Sequence, residues 1–258
     1  MRILVCVKRV PAPGARIVLT EDSLGIDTRN LGFTTSPHEE CAVEAAIQLV
    51  EEHGGDVTVL TLGGTDADEQ LRYAISVGAH KAVLITNDDL AAGRDADAVA
   101  TAKALSAAIR DLESADGIFD LLLFGNESAD SGGFQVGIRV ARALDRPIVN
   151  GIKGIEIADG NATARRECND GYEVYQLAMP AVLGVKEGIN LPRYATLPGR
   201  LRSKKAEVTH LDSATESGRV TTTSLATPLE QTVNTVMLGE GAGAAAAVVD
   251  MLVEMGLA

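Results

Sequence analysis

Phe119 to Leu144 reads FDLLLFGNESADSGGFQVGIRVARAL. Apart from Asp120 the first seven residues are apolar, the pattern of a strand buried on both faces. A loop of small and polar residues follows, and the chain then runs into a helix. The same unit recurs upstream. RILVCVK (Arg2–Lys8), DVTVLTLG (Asp56–Gly63) and KAVLIT (Lys81–Thr86) read as three more strands. Between them, HEECAVEAAIQLVEEH (His38–His53) reads as an amphipathic helix, with Cys41, Ala45, Leu49 and Val50 near one face and glutamates on the other. Ser36 is placed to cap it and Pro37 suits its first position. DADEQLRYAISVG gives a second helix, capped by Thr65 or Asp66 and ended by Gly78. DADAVATAKALSAAIRDL, Asp95–Leu112, gives a third. This alternation predicts an α/β protein with a doubly wound, mostly parallel sheet.

After Pro147 the texture changes. GIKGIEIADGNATARRECNDGYEVYQLAMPAVLGVKEG alternates, with turn signals at DGN and NDG. It reads as an antiparallel hairpin excursion that returns to the sheet in AVLGVKEG. From about Leu211 the chain is rich in Ser, Thr, Ala and Gly until a final helix near Ala244–Met255. The expected division is an α/β unit over residues 1–210 and a C-terminal arm over 211–258 that is disordered or wraps a partner.

Hydrophobic residues make up 46% of the 258, but aromatic ones only 3%, so Val, Leu, Ile and Ala must build the core. The formal net charge of -13 argues against a nucleic-acid binder, which needs a basic field. Cys6, Cys41 and Cys168 are odd in number, far apart and without a CxxC, so neither a disulfide framework nor a zinc site is expected. His38, His53, His80 and His210 show no metal-ligand spacing, and no metal site is predicted. No nucleophile elbow or nucleophile–base pair is evident, which leaves no case for autonomous catalysis. The apolar C-terminal stretch is interrupted by Asp250 and Glu254 and is too short to span a bilayer. A cytoplasmic protein without direct membrane insertion is expected.

Ligands of doubly wound sheets bind beyond the carboxyl ends of the strands. That rule points to Cys6–Arg9 with Lys8, to Leu62–Thr65 with Gly63, and to Gly125–Gly137. In the last of these, Asp130, Ser131, Gly132 and Gly133 have the small polar character that lets backbone N–H groups approach an anion at a helix N-terminus. A plain tight turn, with glycines for packing, fits the same residues. The SGG resembles the SGGxDS phosphate loop of ATP pyrophosphatases, but Phe134, Gln135 and Val136 stand where the Asp-Ser pair would be.

One further segment stands apart. Asn190 to Lys205, NLPRYATLPGRLRSKK, is basic in an acidic chain. Pro192 and Pro198 hold it to extended or turn forms. Leu191, Tyr194 and Leu197 are apolar side chains in a proline-ruled loop. It reads either as a solvated surface loop or as a docking loop with an apolar anchor rimmed by charge.

KEGINLPRYATLPGRLRSKK closely resembles the signature of the electron transfer flavoprotein β-subunit family, at Asn190, Pro192, Arg193, Tyr194, Leu197, Pro198, Lys204 and Lys205. VCVKRV, SPHEECAVEAA, AISVGAHKAV, RRECNDGYE and MPAVLGV are similar to further family stretches, so the resemblance covers nearly the whole chain. It implies a fold related to the adenine-nucleotide α-hydrolases and a heterodimer with an α subunit that holds most of the redox FAD. The implied traffic runs from flavoprotein dehydrogenases, such as acyl-CoA dehydrogenases, to a quinone oxidoreductase or another acceptor. It also implies a structural AMP, with contacts at Cys6, at Ser36, Pro37, His38 and Glu39, and from Gly125 and Asn126 to Val136. Asp130, Gln135 and Gly137 match family positions. Bifurcating members hold a second FAD there instead. Phe134 in place of a small residue, and the missing final Pro, favour AMP. Arg166 and Glu167 match a pair whose Glu meets the α subunit in the family, and Leu197 matches a leucine that plugs a pocket on the dehydrogenase. The competing readings are a stand-alone adenine-nucleotide sensor and an AMP-forming ligase or pyrophosphatase.

Overall fold

The computed structural model describes residues 1–86, 96–213, 218, 220–228 and 235–257. Its frame follows the apolar runs. Strand β1 (Arg2–Cys6) leads through a two-strand ribbon, β2 (Val10–Pro11) and β3 (Phe33–Thr34), into helix α1 (Pro37–His53). Strand β4 (Asp56–Leu62), helix α2 (Asp68–Val77) and strand β5 (Lys81–Thr86) follow. Next come helix α3 (Ala98–Asp116), strand β6 (Leu121–Gly125) and helix α4 (Val136–Ala143). The predicted start of α3 at Asp95 lies outside the described residues. Its cap is Asp97, whose carboxylate accepts from the N–H groups of Val99 and Ala100 at 3.0 and 2.8 Å. Neither Thr65 nor Asp66 caps α2. Thr65–Ala67 form a 3₁₀ turn that feeds straight into it.

The excursion is three antiparallel strands, β7 (Ile148–Ala158), β8 (Asn161–Cys168) and β9 (Gly171–Ala178), and β10 (Ala181–Val185) returns the chain to the sheet. Asp159 and Gly160 both have positive φ, 49° and 75°, the backbone that a two-residue hairpin turn requires. Strand β11 (Val208–Asp212) adds to the other edge, parallel to β5. Among the described residues one sheet of nine strands results, in the order β11-β5-β4-β1-β6-β10-β7-β8-β9. Pairings from β11 to β7 are parallel and those from β7 to β9 antiparallel. Because β11 runs Val208–Asp212, the sheet's last strand crosses the expected boundary at residue 210.

Alternate side chains of the central strands enter opposite cores. Ile3, Val5, Val57, Val59 and Leu123 pack with α1 and α2. Leu4, Cys6, Leu60, Leu122 and Phe124 pack with α3 and α4 on the other face. Neighbouring strands β1 and β6 therefore send their helices to opposite faces, and their carboxyl ends open a crevice, the topological switch point.

Two expectations change. The glutamates of α1 do not all face water, since Glu39 and Glu44 are buried. The helix is covered on its outer side too, by the segment from Asn190 to Arg193. Nor is Leu197–Lys205 a loop. It is helix α5, capped by Thr196, whose hydroxyl accepts from Gly199 N–H at 3.2 Å. Pro198 sits in the first turn, where its missing N–H has no helical partner to lose.

Helices α2 and α5 hold each other through reciprocal arginines. Arg202 donates to the Ile75 carbonyl near the end of α2 at 2.6 Å, and Arg72 donates to the carbonyls of Ser203 and Ala206 at the end of α5 at 2.7 and 3.2 Å. Each cation thereby meets the negative end of the opposing helix. The contact is so close that a Cβ at Gly199 would stand 2.1 Å from the Ser76 carbonyl oxygen. The final helix α6 (Ala245–Glu254) buries none of its residues, and Val249, Val253, Met255 and Leu257 stand exposed. The arm touches the body where Val220 N–H donates to Asp97 at 3.0 Å and Leu225 N–H donates to the Ser23 carbonyl at 2.7 Å. No helix among the described residues is long and apolar enough to cross a membrane.

Gly199→Ala should destabilise the protein by about 1–3 kcal/mol, the range for overpacking against backbone. Urea unfolding checks this. An unchanged midpoint would mean that α5 is not seated this tightly.

Candidate functional site

The crevice between β1 and β6 is assembled around the first turn of α1. Gly125, at the end of β6, lies directly beneath that turn. A Cβ there would stand 2.6 Å from Glu39 Cγ and 3.2 Å from both Glu39 N and His38 Cβ. Only glycine lets the helix descend this far between the strands. Pro37 occupies the first helical position, as expected.

Glu39 is 6% exposed. Its Oε2 accepts from Lys8 N–H at 2.9 Å and from Ser36 N–H at 3.3 Å, tying the end of β1 to the start of α1. The second contact is the glutamate half of a capping box. The Ser36 hydroxyl donates to the Glu127 carbonyl at 3.2 Å and so binds the loop after β6 to the same turn. Burial pushes the Glu39 carboxyl up to about 8, against the lowering pull of those two N–H groups and of Lys8. Cys6, buried beside it, is raised well above the usual thiol range by burial first and by Glu39 second.

The mouth of the crevice is bridged by charge. Lys8 Nζ lies 2.5 Å from Asp130 Oδ2. Burial pushes the Asp130 carboxyl up, but the hydrogen bond and charge of Lys8, with help from Ser128 and Ser131, hold it below its ordinary value. The loop is wound on itself. Ser131 N–H donates to Asp130 Oδ1 at 2.7 Å, the Ser128 and Ser131 hydroxyls meet at 2.8 Å, and Gly132 N–H donates to the Ser128 carbonyl at 3.0 Å. Gly132 and Phe134 both take left-handed φ of 53°, and Gly133 between them has open space around it. Phe134 is exposed. Gln135 flanks the start of α4, where its side chain accepts from Arg139. Val136 opens that helix and Gly137 packs on the Phe124 ring. Asn126 N–H donates to the Val185 carbonyl at 2.8 Å, fixing the loop's root to β10. Gly63 lies farther along the same sheet edge, its N–H donating to the Ile85 carbonyl at 3.0 Å.

His38 joins this crevice to the segment that follows β10. Its Nδ1 accepts from Glu187 N–H at 2.7 Å, so Nε2 carries the proton, 3.4 Å from Glu127 Oε1. Asn190 continues the seam, with Nδ2 donating to the Cys41 carbonyl at 3.0 Å. Arg193 then turns inward. It donates to Glu44 at 2.9 and 3.1 Å and to Glu51 at 2.6 and 2.9 Å, and its guanidinium is held well above its ordinary range by those hydrogen bonds, Glu51 first and Glu44 second. Arg193 is thus a clamp beneath the segment rather than a cation presented on it. Above the clamp Leu191, Tyr194 and Leu197 are 88%, 90% and 72% exposed. Lys204 and Lys205 end α5 in the solvent-facing last turn, where cations suit the helix dipole.

Arg166 and Glu167 lie on opposite faces of β8. Arg166 donates to Glu173 at 2.6 Å and to the Tyr175 hydroxyl at 2.7 Å, while Glu167 pairs with Lys153 at 2.9 Å. The structure brings the residues from Cys6 to Gly137 together at one crevice, with Gly63 at its margin. Arg193–Lys205 form a second surface, and the pair on β8 stands apart from both. Sequence reasoning missed the inward roles of Arg193 and Arg202, since their acceptors lie 142 or more and 127 residues away.

Replacing Glu39 by Gln should remove a pH dependence of stability. The folded carboxyl, at about 8, lies above the ordinary value of 4.5, so the folded state holds a proton that the unfolded state releases. Its contribution is fully present below about 4.5 and is lost as pH rises toward 8, at up to about 1.4 kcal/mol per pH unit. Urea unfolding from pH 5 to 9 should show this slope in the unsubstituted protein and a flatter one in Glu39→Gln. Identical slopes would exclude the assignment.

The family model for the electron transfer flavoprotein domain matches residues 23–216. The chain is 34% identical to the electron transfer flavoprotein subunit beta of Bacillus subtilis, over 82% of this chain and 79% of that one. It is 34% identical to the subunit beta of Mycobacterium tuberculosis over the same shares, 82% and 79%. It is 33% identical to protein FixA of Azorhizobium caulinodans over 81% of this chain and 74% of that one. A doubly wound sheet with a switch-point crevice and a clamped apolar segment, together with likeness of this extent, places the chain in the electron transfer flavoprotein family, as a β subunit.

Proposed function

We propose that this chain forms a heterodimer with an α subunit that holds the redox FAD, and ferries electrons from flavoprotein dehydrogenases, such as acyl-CoA dehydrogenases, to a quinone oxidoreductase or another acceptor in the cytoplasm. The observation that carries this reading is the surface of Leu191, Tyr194 and Leu197. Three large apolar side chains stand almost fully in water, yet the backbone beneath them is pinned by Arg193 and Gly199. Large exposed side chains on a rigid base are what a docking site needs, because little ordering remains to be done on association. The FAD supplies the one- and two-electron chemistry when bound. This chain's own residues orient the partner and exclude water from the contact, and no catalytic group of its own is required. The arm, with α6 unburied on every side, covers the α subunit in this reading, and Glu167 reaches it from the hairpin.

The switch-point crevice would hold AMP. Its fit rests on the close approach allowed at Gly125, the open space at Gly133 and the wound loop before α4. Phe134, fixed in a left-handed conformation at the loop's tip, favours the smaller nucleotide over a second FAD.

Leu197→Ala should weaken docking to the dehydrogenase by roughly 10- to 150-fold, the equivalent of about 1.5–3 kcal/mol for one buried leucine. Stopped-flow reduction of the heterodimer should slow accordingly while flavin content stays constant. Unaltered kinetics would refute the docking role. Denaturing the purified heterodimer should release one AMP along with one FAD. Release of two FAD and no AMP would assign the crevice to a second flavin.

A further inference from the structure

Glu39 is the most deeply buried carboxyl of the crevice, and its hydrogen bonding is lopsided. Oε2 accepts two backbone N–H groups, from Lys8 and Ser36, while Oε1 accepts from no described residue. Titratable groups come from every element around it. On the β1 side stand Cys6 and Lys8, on its own helix His38 and Glu40, on the loop after β6 Glu127 and Asp130, and after β10 Glu187. Lys8 is the one cation among these, and its ammonium is already engaged by Asp130. The Nδ1 of His38 is taken up by the Glu187 N–H.

The crevice is thus an acidic place for an anion. Ionised Glu39 would add a second carboxylate beside Asp130, against the one ammonium of Lys8, in the crevice that the anion enters. A ligand covering the crevice would also close over Oε1, which has no described donor, and a carboxylate with one bare oxygen is costly to bury. Both effects act on the same atom in the same direction. Resting on the nucleotide reading above, we infer that Glu39 makes nucleotide binding proton-linked: the crevice takes the ligand with this carboxyl as the neutral acid and releases that proton when the ligand leaves. Above the pH at which the free site ionises, one proton is drawn from solvent on to Oε1 for each nucleotide bound. Burial already holds the carboxyl at about 8 in the free site, so the linkage falls just above neutrality. The phosphate's own second ionisation, at about 6, is complete there and does not interfere.

The test is calorimetric titration of AMP into nucleotide-stripped heterodimer from pH 6.5 to 9.5, in two buffers of different ionisation enthalpy. Affinity should be level to about pH 8 and then weaken about tenfold per pH unit, the slope of a single proton. Near pH 9 about one proton should be taken up per AMP, and Glu39→Gln should show neither slope nor uptake. A level affinity to pH 9.5, or a Glu39→Gln variant that keeps the slope, would overturn the inference while leaving the nucleotide site intact. Failure of AMP to bind at any pH would overturn the nucleotide reading and the linkage together. Should the variant not fold, infrared difference spectra of the unsubstituted heterodimer at pH 9 decide the same question. AMP should bring up the carbonyl stretch of a protonated carboxylic acid, and its absence overturns the assignment.

Discussion

The seat of the first turn of α1 on Gly125 is the constraint that the rest of the structure obeys. There is no space for a single methyl group at that point. Three separate parts of the chain reach the turn. Lys8, after β1, is held by Glu39; Glu127, after β6, is held by Ser36 and His38; and Glu187, after β10, is held by His38. These contacts span from 31 to 149 residues of sequence, so their closure entropy is met only once the sheet has formed. The crevice is therefore a consequence of the completed fold and not a local motif.

The same helix carries the second surface. Glu44 is 4% exposed and ionised groups are rarely buried so fully unless paired. Arg193 supplies the partner with a two-pronged contact, and Glu51 takes the remaining donors. Removing Arg193 would strand Glu44 without a counter-charge, and such loss is worse than never having had the pair. Pro192 and Arg193 also close a small cavity lined by Val43, Ala74 and Val77, so the segment is stapled by packing as well as by charge. Crevice and clamp are thus carried by one helix, at Glu39 in its first turn and at Glu44 and Glu51 farther along it.

How much of this was legible in the sequence depends on whether the deciding partner is local. The four parallel strands were, because the part of a strand buried on both faces must be apolar, as LLLF and the AVLI of KAVLIT are. The hairpin was, because Asp159-Gly160 has few other uses. The strand Val208–Asp212 was not. It sits at the edge with Thr209, His210 and Asp212 exposed, so it has no apolar signature. Helix α5 was hidden by Pro198, which reads as a breaker unless Thr196 is seen to cap the turn before it. The candidate crevice could be located from the sheet-end rule and the family resemblance. The resemblance also named Glu39 there; that its carboxyl is buried could not be read, since a glutamate at a helix start is usually a solvated partner of the dipole. Only the missing Cβ of Gly125 makes it otherwise.

The balance of charge suits a carrier that must let go. The chain carries -13 overall, yet α5 holds Arg200, Arg202, Lys204 and Lys205. Arg202 is engaged by α2, so Arg200, Lys204 and Lys205 are the cations that face solvent around Leu197. A local basic rim on an acidic molecule orients encounter and raises the rate of association, while adding little to the lifetime of the complex. In the docking proposed above, lifetime would rest with the few apolar anchors, and one buried leucine contributes only about 1.5–3 kcal/mol. In that proposal fast capture and weak retention would therefore be set by different residues of the same segment. Each can be tuned without the other only because Arg193 and Gly199 keep the backbone between them fixed.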